Sequence, residues 1–370
     1  MRWVLAAFVL GRAVVLGAAA LAESQSSLVA APAVSSTGAQ MLWTDVPILS
    51  SLTSWDGVNY LLLAANGYAG NPANGPFPLS VFFPVYPATI AASRLVGGNG
   101  ALAAVLISNM AFVVALLVVL QLGRRVVGEE QARRGSMFLA LVAGGTAFSM
   151  AYTESVFLLV SAGALLAAER GRAGWAGILF GLAAVTRLPG VALGLPLALI
   201  LWRTRPDRGA AMPWLLLGPA TLGAFPAYLG AIGGDPLGPI RGQAVWIAAF
   251  AGRLPEVAGP SGPAVIIPIL GDPRVVGTAV ILLLAVTVVC TLLARRARVT
   301  APYVLLMAIA VLTVLAPGRL VSADRFLAVA FPIGWVIATA ARPLQIAWVV
   351  FSVAMLAATA YLSFRLLLPP

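Results

Sequence analysis

Two absences and one scarcity restrict what this chain of 370 residues can do. It has no histidine, which excludes histidine acid–base catalysis, Ser-His-Asp triads and histidine-ligated metals. It has no lysine, because all 23 of its basic residues are arginine. Its one cysteine, Cys290, lies in an apolar run, so we expect neither an intrachain disulfide nor a thiolate metal site. Any catalysis is left to carboxylates, arginine and tyrosine.

Charge of any kind is also scarce. Charged residues make up 9% of the chain, hydrophobic residues make up 61%, and the mean hydropathy is +0.99. A water-soluble domain carries roughly 25% charged residues. The composition therefore predicts a single all-α polytopic membrane domain over residues 1–370. At roughly 20 residues per span, about eleven transmembrane helices are expected, near 3–22, 100–121, 135–152, 155–168, 175–186, 188–202, 211–232, 275–294, 301–317, 326–341 and 344–364.

The arginine distribution predicts the topology. Residues 3–22 resemble a signal peptide, but Arg12 interrupts the apolar run, so we interpret it as a retained first span with a cytoplasmic amino terminus. Fourteen arginines then fall on the cytoplasmic side and eight on the opposite side, as the positive-inside rule requires. The basic excess is thus explained by topology rather than by nucleic-acid binding.

Loop length indicates which face carries the function. The cytoplasmic connections are short, whereas the two largest external segments, 23–99 and 233–274, are long and rich in Gly, Pro and Trp. Loops of this length are usually functional or disordered, and their apolar and aromatic content argues against disorder. We therefore predict a multi-pass cell-membrane protein whose external face is the working face.

The first external segment carries Asp56 in a polar stretch before a predicted short interfacial helix, Tyr60–Tyr68, which Gly67 would end. Two interpretations of Asp56 are open on this pattern alone. Asp56 or Ser54 could cap the helix, or Asp56 could carry out chemistry at the membrane surface. Further on, the prolines of Phe82-Phe83-Pro84-Val85-Tyr86-Pro87 argue against a regular helix through this point. These aromatic residues suit an interfacial belt or the wall of a lipid or sugar site.

Other charged residues interrupt apolar sequence at predicted outer ends of spans. Glu154 is one, and ionisable residues at such depth usually pair or line a cavity. Its candidate partner is Arg187, in either a structural salt bridge or a substrate site. Arg319 and Arg325 also lie outside, where they could bind phosphate through their forked donors or contact lipid headgroups.

The motifs resemble, in order, those of the PIG-V (GPI mannosyltransferase II) family of GT-C glycosyltransferases, from about residue 1 to 341. They are Trp55-Asp56-Gly57 followed by Asn66-Gly67-Tyr68, Phe82-Phe83-Pro84-Val85-Tyr86-Pro87, Ala151-Tyr152-Thr153-Glu154-Ser155, Thr186-Arg187-Leu188-Pro189-Gly190, and Asp324-Arg325-Phe326 with Phe331-Pro332. The segment 233–274 matches no motif of that family. The resemblance implies a GT-C fold with a catalytic acid in the first large external loop.

By the same resemblance, Asp56 is the catalytic base, and mannose passes with inversion from a polyprenyl-phosphate donor to a glycolipid or glycan hydroxyl. The residues expected to contact substrate are Trp55, Tyr60, Phe83, Tyr86, Tyr152, Glu154, Arg187, Arg319 and Arg325. We expect no cofactor and no metal, because arginine could stabilise the departing phosphate in place of a divalent ion.

Two other function classes fit the composition. A lipid or solute transporter would account for the spans, for the break near Pro189 and for the intramembrane charges. However, the sequence contains no internal repeat, and the carboxylates cluster outside rather than at the midplane. A non-catalytic assembly subunit would use the external segments as docking surfaces. Sugar transfer from a lipid-linked donor separates the enzyme from both alternatives.

Overall fold

A computed structural model of the protein describes residues 1–25, 47–69, 78–95, 99–243, 273–315 and 323–365. The α-helices in these ranges are α1 (Arg2–Ser24), α2 (Pro47–Leu52), α3 (Asp56–Asn66), α4 (Val85–Arg94), α5 (Gly100–Val126), α6 (Glu129–Ala140), α7 (Glu154–Glu169), α8 (Ala173–Ala184), α9 (Gly194–Thr204), α10 (Arg208–Ala211), α11 (Leu217–Ala231), α12 (Pro273–Leu293), α13 (Ala301–Leu315), α14 (Ala323–Ala328), α15 (Pro332–Ile337) and α16 (Arg342–Phe364). Single 3-10 helices cover Leu79–Val81, Gly145–Phe148, Leu188–Leu193 and Met212–Leu216. The described residues contain no β-strand, so the predicted all-α membrane class is confirmed.

Within the described ranges, four helical stretches are long and apolar enough to cross a bilayer: Arg2–Ser24, Gly100–Val126, Arg208–Ala231 and Arg342–Phe364. Ala173–Ala184, Leu188–Thr204 and Ala301–Leu315 are shorter apolar helices. The predicted count of about eleven transmembrane helices is therefore not confirmed within the described ranges. The predicted span 326–341 is two short helices, α14 and α15, and the break expected at Arg187-Leu188-Pro189 is present between α8 and α9.

The predicted span 135–152 is wrong in a way that shapes the site. Helix α6 ends at Ala140, and residues 141–153 run to α7 with only one 3-10 turn, although all of them are buried. Buried backbone without helical pairing needs other hydrogen-bond donors. Side chains from three helices contribute here. Arg12 of α1 donates to the Gly145 carbonyl at 3.5 Å, Asn109 of α5 donates to that of Ser149 at 3.0 Å, and Thr359 of α16 donates to that of Ala143 at 3.5 Å.

The core forms where α5 packs against α6 and α7, and where α1 packs against α16. The ring of Phe112 in α5 stacks on that of Phe148, with their centroids 4.3 Å apart. This contact fixes the 141–153 segment between helices. The C-terminal helices approach it closely too, because a Cβ on Gly144 would lie 2.1 Å from the carbonyl oxygen of Asp324.

The first segment predicted to be external differs from expectation at its proline-rich stretch. Helix α4 begins within the predicted proline-rich break, with Pro84 as its N-cap and Pro87 in its first turn. Proline is tolerated there because the first N–H groups of a helix have no partner within it. The two long segments predicted to be external meet where Gly238 lies directly against Ser80.

Candidate active site

Four charged side chains form an alternating row at one end of the bundle. Arg325 of α14 donates from Nη1 to Oδ2 of Asp56 at 2.7 Å, and its Nε lies 3.6 Å from Oε1 of Glu154. Arg187 donates to the same Oε1. The predicted partnership of Glu154 with Arg187 is therefore present, and Arg325 joins it to Asp56.

Asp56 opens α3 but does not cap it. The N-cap is Trp55, whose backbone φ is +58°, and no side chain caps the helix. A positive φ is a strained conformation for tryptophan. It is held in place by the indole N–H, which donates to the carbonyl of Ser363 at 2.9 Å. The Asp56 carboxylate is directed to Arg325 and its backbone N–H donates to the hydroxyl of Tyr152 at 3.1 Å. The capping interpretation of Asp56 and Ser54 is therefore not supported.

Glu154 is the first residue of α7 and is almost completely buried, with 1% of its side chain exposed. A carboxylate in the first turn is stabilised by the helix dipole, and the two arginines compensate its charge. Within the described residues, Oε2 has no hydrogen-bond partner. The preceding residue, Thr153, accepts a hydrogen bond from Arg187 at 3.3 Å.

Aromatic rings enclose the two arginines. The Arg325 guanidinium carbon lies 5.3 Å from the Tyr152 ring centroid and that of Arg187 lies 4.9 Å from the Phe326 centroid, both within cation–π range. Burial alone would lower the pKa of Arg325, but the carboxylates of Asp56 and Glu154 outweigh it and raise the pKa. Arg325 is a permanent cation in this site.

The two tyrosines beside the row are not candidate bases. Burial, followed by the charge of Asp56, raises the pKa of Tyr60 and that of Tyr152 above the ordinary value. Both phenols therefore stay protonated at neutral pH. The Tyr60 hydroxyl is hydrogen-bonded to that of Thr153 at 3.3 Å, so Tyr60 belongs to the site through Thr153.

The predicted aromatic wall divides into two parts. Tyr86 is fully buried beneath Tyr60, and Phe82 rather than Phe83 packs against the Tyr60 ring. Phe83 packs in a separate cluster with Phe225 and Leu229. Arg319, the remaining predicted contact, lies outside the described residues. Thr153 is not among the predicted substrate contacts. It follows Tyr152 in a polar stretch that ends an apolar run, and that stretch is the sequence signal that could have identified it.

An apolar pocket adjoins Arg187. Side chains of α7, the 188–193 turn, α13 and α14 line it, and together with its open mouth it holds about 580 Å³. Phe157, Leu306 and Phe326 are among its walls, and among the described residues Arg187 is the one charged side chain that lines it. Within the described residues, no group of three or more Asp, Glu or Cys side chains could hold a metal ion.

A family model described as "Mannosyltransferase (PIG-V)" matches residues 4–195, just over half of the chain. The chain therefore belongs to the PIG-V mannosyltransferase family, and the resemblance drawn from its motifs is confirmed. Glycosyltransferase, the enzyme class predicted from the sequence, is the class of this family. The match includes Asp56, Glu154 and Arg187 and ends before Arg325.

Two solved structures of the Archaeoglobus fulgidus oligosaccharyltransferase are similar to the chain. The apo form aligns at 14% identity and a TM-score of 0.45, covering 95% of this chain and 56% of the other. The form tethered to an acceptor peptide containing the NVT sequon aligns at 13% identity and a TM-score of 0.46, covering 95% and 55%. The chain thus spans about half the length of that protein. No curated protein matches the chain significantly in sequence.

Proposed function

We propose that this protein transfers mannose, with inversion, from a polyprenyl-phosphate-mannose donor to a hydroxyl of a glycolipid or glycan on the outer face of the membrane. Family membership supports the sugar and the reaction class. The observation that carries the mechanism is the contact between Asp56 and Arg325, which places a carboxylate beside a cation at a partly exposed position.

In this mechanism the acceptor oxygen attacks C1 of the mannose while the bond from C1 to the phosphate oxygen breaks. The acceptor proton passes to the carboxylate of Asp56, and polyprenyl phosphate leaves as an anion. Asp56 is 23% exposed at its side chain and Arg325 is 14% exposed, so both are partly accessible. Positive charge fixed beside the leaving group stabilises the charge that develops there.

Two arginines are available for the phosphate. Oε1 of Glu154 contacts both guanidinium groups and so holds Arg187 and Arg325 on one side of Asp56. Arginine suits phosphate because its donors form a planar fork. The phosphate would take Arg325 from Asp56, which leaves the carboxylate free to accept the acceptor proton. This chemistry needs no metal, so we propose metal-independent transfer.

The apolar pocket beside Arg187 supports a lipid-linked donor. An isoprenoid chain could occupy the space between α7, α13 and α14, with its phosphate at Arg187. Burial of such a chain contributes roughly 0.8 kcal/mol per CH₂ group.

The orientation is proposed from the ends of α7. Glu154 and the site lie at its first residue, whereas Glu169, at its last, pairs with Arg203. Nearby, Arg170 donates to Gln121 near the end of α5. The arginine-rich end of the bundle is therefore opposite the site. Because arginine marks the cytoplasmic side, the amino terminus would be cytoplasmic and the site external.

The test is transfer by purified protein in liposomes that contain polyprenyl-phosphate mannose and a glycolipid acceptor, with the product identified by mass spectrometry. We expect transfer by the wild type, none by Asp56→Asn, and transfer that withstands EDTA. Asp235→Asn is the matched control, since Asp235 forms an exposed ion pair with Arg241, 3.3 Å between the charged atoms, and is not part of the row of four charged side chains. Movement of the lipid across the bilayer without sugar transfer would instead indicate a transporter. Loss in EDTA with recovery on manganese would overturn the metal-independent step.

A further inference from the structure

Two polar side chains of α5 have no part in the proposed chemistry, although they lie deep in an apolar helix. Ser108 is fully buried and Asn109 is half-buried, in a helix that otherwise consists largely of Ala, Val and Leu. Polar side chains at membrane depth are costly unless they are hydrogen-bonded, and they usually serve a purpose. Both of these donate to the backbone of the 141–153 segment.

The bonds converge on the residues before Glu154. The Ser108 hydroxyl donates to the carbonyl of Tyr152 at 3.0 Å, and the Asn109 amide donates to that of Ser149 at 3.0 Å. The Tyr86 hydroxyl is also 2.8 Å from Ser108 Oγ. The Tyr86 hydroxyl also lies 2.8 Å from the Ala104 carbonyl. Because each hydroxyl has one proton, Tyr86 donates to Ser108 when Ser108 donates to the Tyr152 carbonyl. These bonds fix the main chain at both ends of the stretch 149–152.

That stretch in turn holds the main chain around Asp56. The Tyr152 hydroxyl accepts the backbone N–H of Asp56 at 3.1 Å, and the Ala151 N–H donates to the carbonyl of Leu52 at 2.8 Å. Asp56 follows the strained Trp55, so its local conformation depends on outside contacts. The arginines are held differently, through Glu154, which belongs to the regular helix α7.

We propose that Ser108 and Asn109 are positioning residues for Asp56, which act by fixing the 149–152 backbone and, through Tyr152, the main chain of the base. The expected effect on the reaction rests on the proposed function. The structural link between α5 and Asp56 does not depend on it. Loss of either donor should displace Asp56, while Glu154 keeps its contacts with the two arginines. A shift of about 1 Å in a reacting group can lower the rate by roughly 10²-fold.

A kinetic measurement separates positioning from general stability. Ser108→Ala and Asn109→Leu should lower kcat by roughly tenfold or more without raising the KM for the donor, because Glu154 still holds the two arginines. Because Ser108 acts through Tyr152, the double variant Ser108→Ala/Tyr152→Phe should be no slower than Tyr152→Phe alone. If the rate losses of the two single variants multiply in the double variant, Ser108 does not act through Tyr152.

The direct test needs no substrate. Hydrogen exchange of the Asp56 amide is measured in the purified full-length protein, by mass spectrometry resolved to single residues. Tyr152→Phe, which removes the acceptor, should speed exchange by about fivefold or more. Ser108→Ala and Asn109→Leu should do the same, and Ser108→Thr, which keeps the hydroxyl, should restore protection.

Ser136→Ala is the matched control, because Ser136 is equally buried and its hydroxyl has no partner among the described residues. In Ser136→Ala, hydrogen exchange of the Asp56 amide should be as slow as in the wild type. Wild-type protection in both Ser108→Ala and Asn109→Leu, or equal acceleration in Ser136→Ala, would overturn the proposal. If exchange behaves as expected but the protein transfers no mannose, the proposed function fails and the structural link between α5 and Asp56 stands.

Discussion

The guanidinium group of Arg325 donates to the carboxylate of Asp56 across 2.7 Å, although 269 positions separate the two residues in the chain. This ion pair joins the first turn of α3 to the short helix α14. In the proposed reaction it also brings two events into one place, because the donor phosphate and Asp56 compete for the same cation. Removal of Asp56 should therefore strengthen phosphate binding, whereas removal of Arg325 should weaken it.

Arg325 should be sensitive to the geometry of its donors and not only to its charge. Arg325→Lys keeps the charge but loses the planar fork, so the KM for the donor should rise by roughly tenfold, the effect of losing about 1.4 kcal/mol of binding. Arg325→Gln should weaken binding further. The measurement is initial transfer rate against donor concentration. Arg241→Gln, at an exposed ion pair, should leave the KM unchanged. A wild-type KM in Arg325→Gln would contradict a phosphate role for this residue.

The buried pair of Glu154 and Arg187 separates structural from functional roles. Removing one partner of a buried ion pair leaves an uncompensated charge and costs roughly 3–5 kcal/mol, so Glu154→Gln and Arg187→Gln should each lower the thermal unfolding temperature. The double variant Glu154→Gln/Arg187→Gln should recover most of that stability. It should not recover transfer, since the arginine itself is missing. Transfer near the wild-type rate in a stable double variant would mean that the pair is only structural.

Asp324 should make stability depend on pH. Burial raises its pKa to about 6, against 3.8 in an exposed carboxyl. Because the folded-state pKa is the higher one, this group favours folding below pH 3.8, and that contribution is lost as pH rises through 6. Asp324→Asn should therefore gain up to about 3 kcal/mol relative to the wild type at pH 7.5 and little at pH 4. Thermal unfolding at the two pH values measures this, and an equal difference at both would contradict it.

Gly144 is required where the site segment meets α14. A Cβ there would lie 2.1 Å from the Asp324 carbonyl oxygen and 2.8 Å from the Arg325 nitrogen, both backbone atoms. Gly144→Ala should force α14 away from the segment, lower the unfolding temperature and reduce transfer by at least about tenfold. Gly17→Ala in α1, where no atom lies within 4 Å of the added carbon, should be neutral or stabilising. Equal behaviour of the two variants would exclude this packing argument.

Local signals in the sequence predicted much of the site. The scarcity of charge predicted the membrane class, and the break at Arg187-Leu188-Pro189 is present. Glu154 was paired with Arg187 because a carboxylate at the end of an apolar run needs a partner. Asp56 was selected by its motif, but helix capping was open until its carboxylate was found on Arg325.

What the sequence did not predict depends on contacts between distant segments. Periodicity and apolarity in 135–152 resemble a span, yet this stretch is stabilised as irregular backbone by side chains such as Arg12 and Asn109. Which of Phe82 and Phe83 faces Tyr60 depends on the start of α4, which no local rule fixes. The sequence does contain a signal for the positioning role of α5, because Ser108 and Asn109 interrupt an otherwise apolar helix.

The central claim is that Asp56 takes a proton while Arg325 binds phosphate. Its most direct test is to titrate polyprenyl phosphate against the wild type, Asp56→Asn and Arg325→Gln, and to assay the transfer rate of the same preparations. We predict that Asp56→Asn binds the lipid phosphate more tightly than the wild type, because it no longer competes for Arg325, while its transfer rate falls by at least about 10²-fold. Arg325→Gln should lose binding. The account would be contradicted if Asp56→Asn transferred mannose at the wild-type rate, or if Asp56→Asn bound polyprenyl phosphate as weakly as Arg325→Gln does.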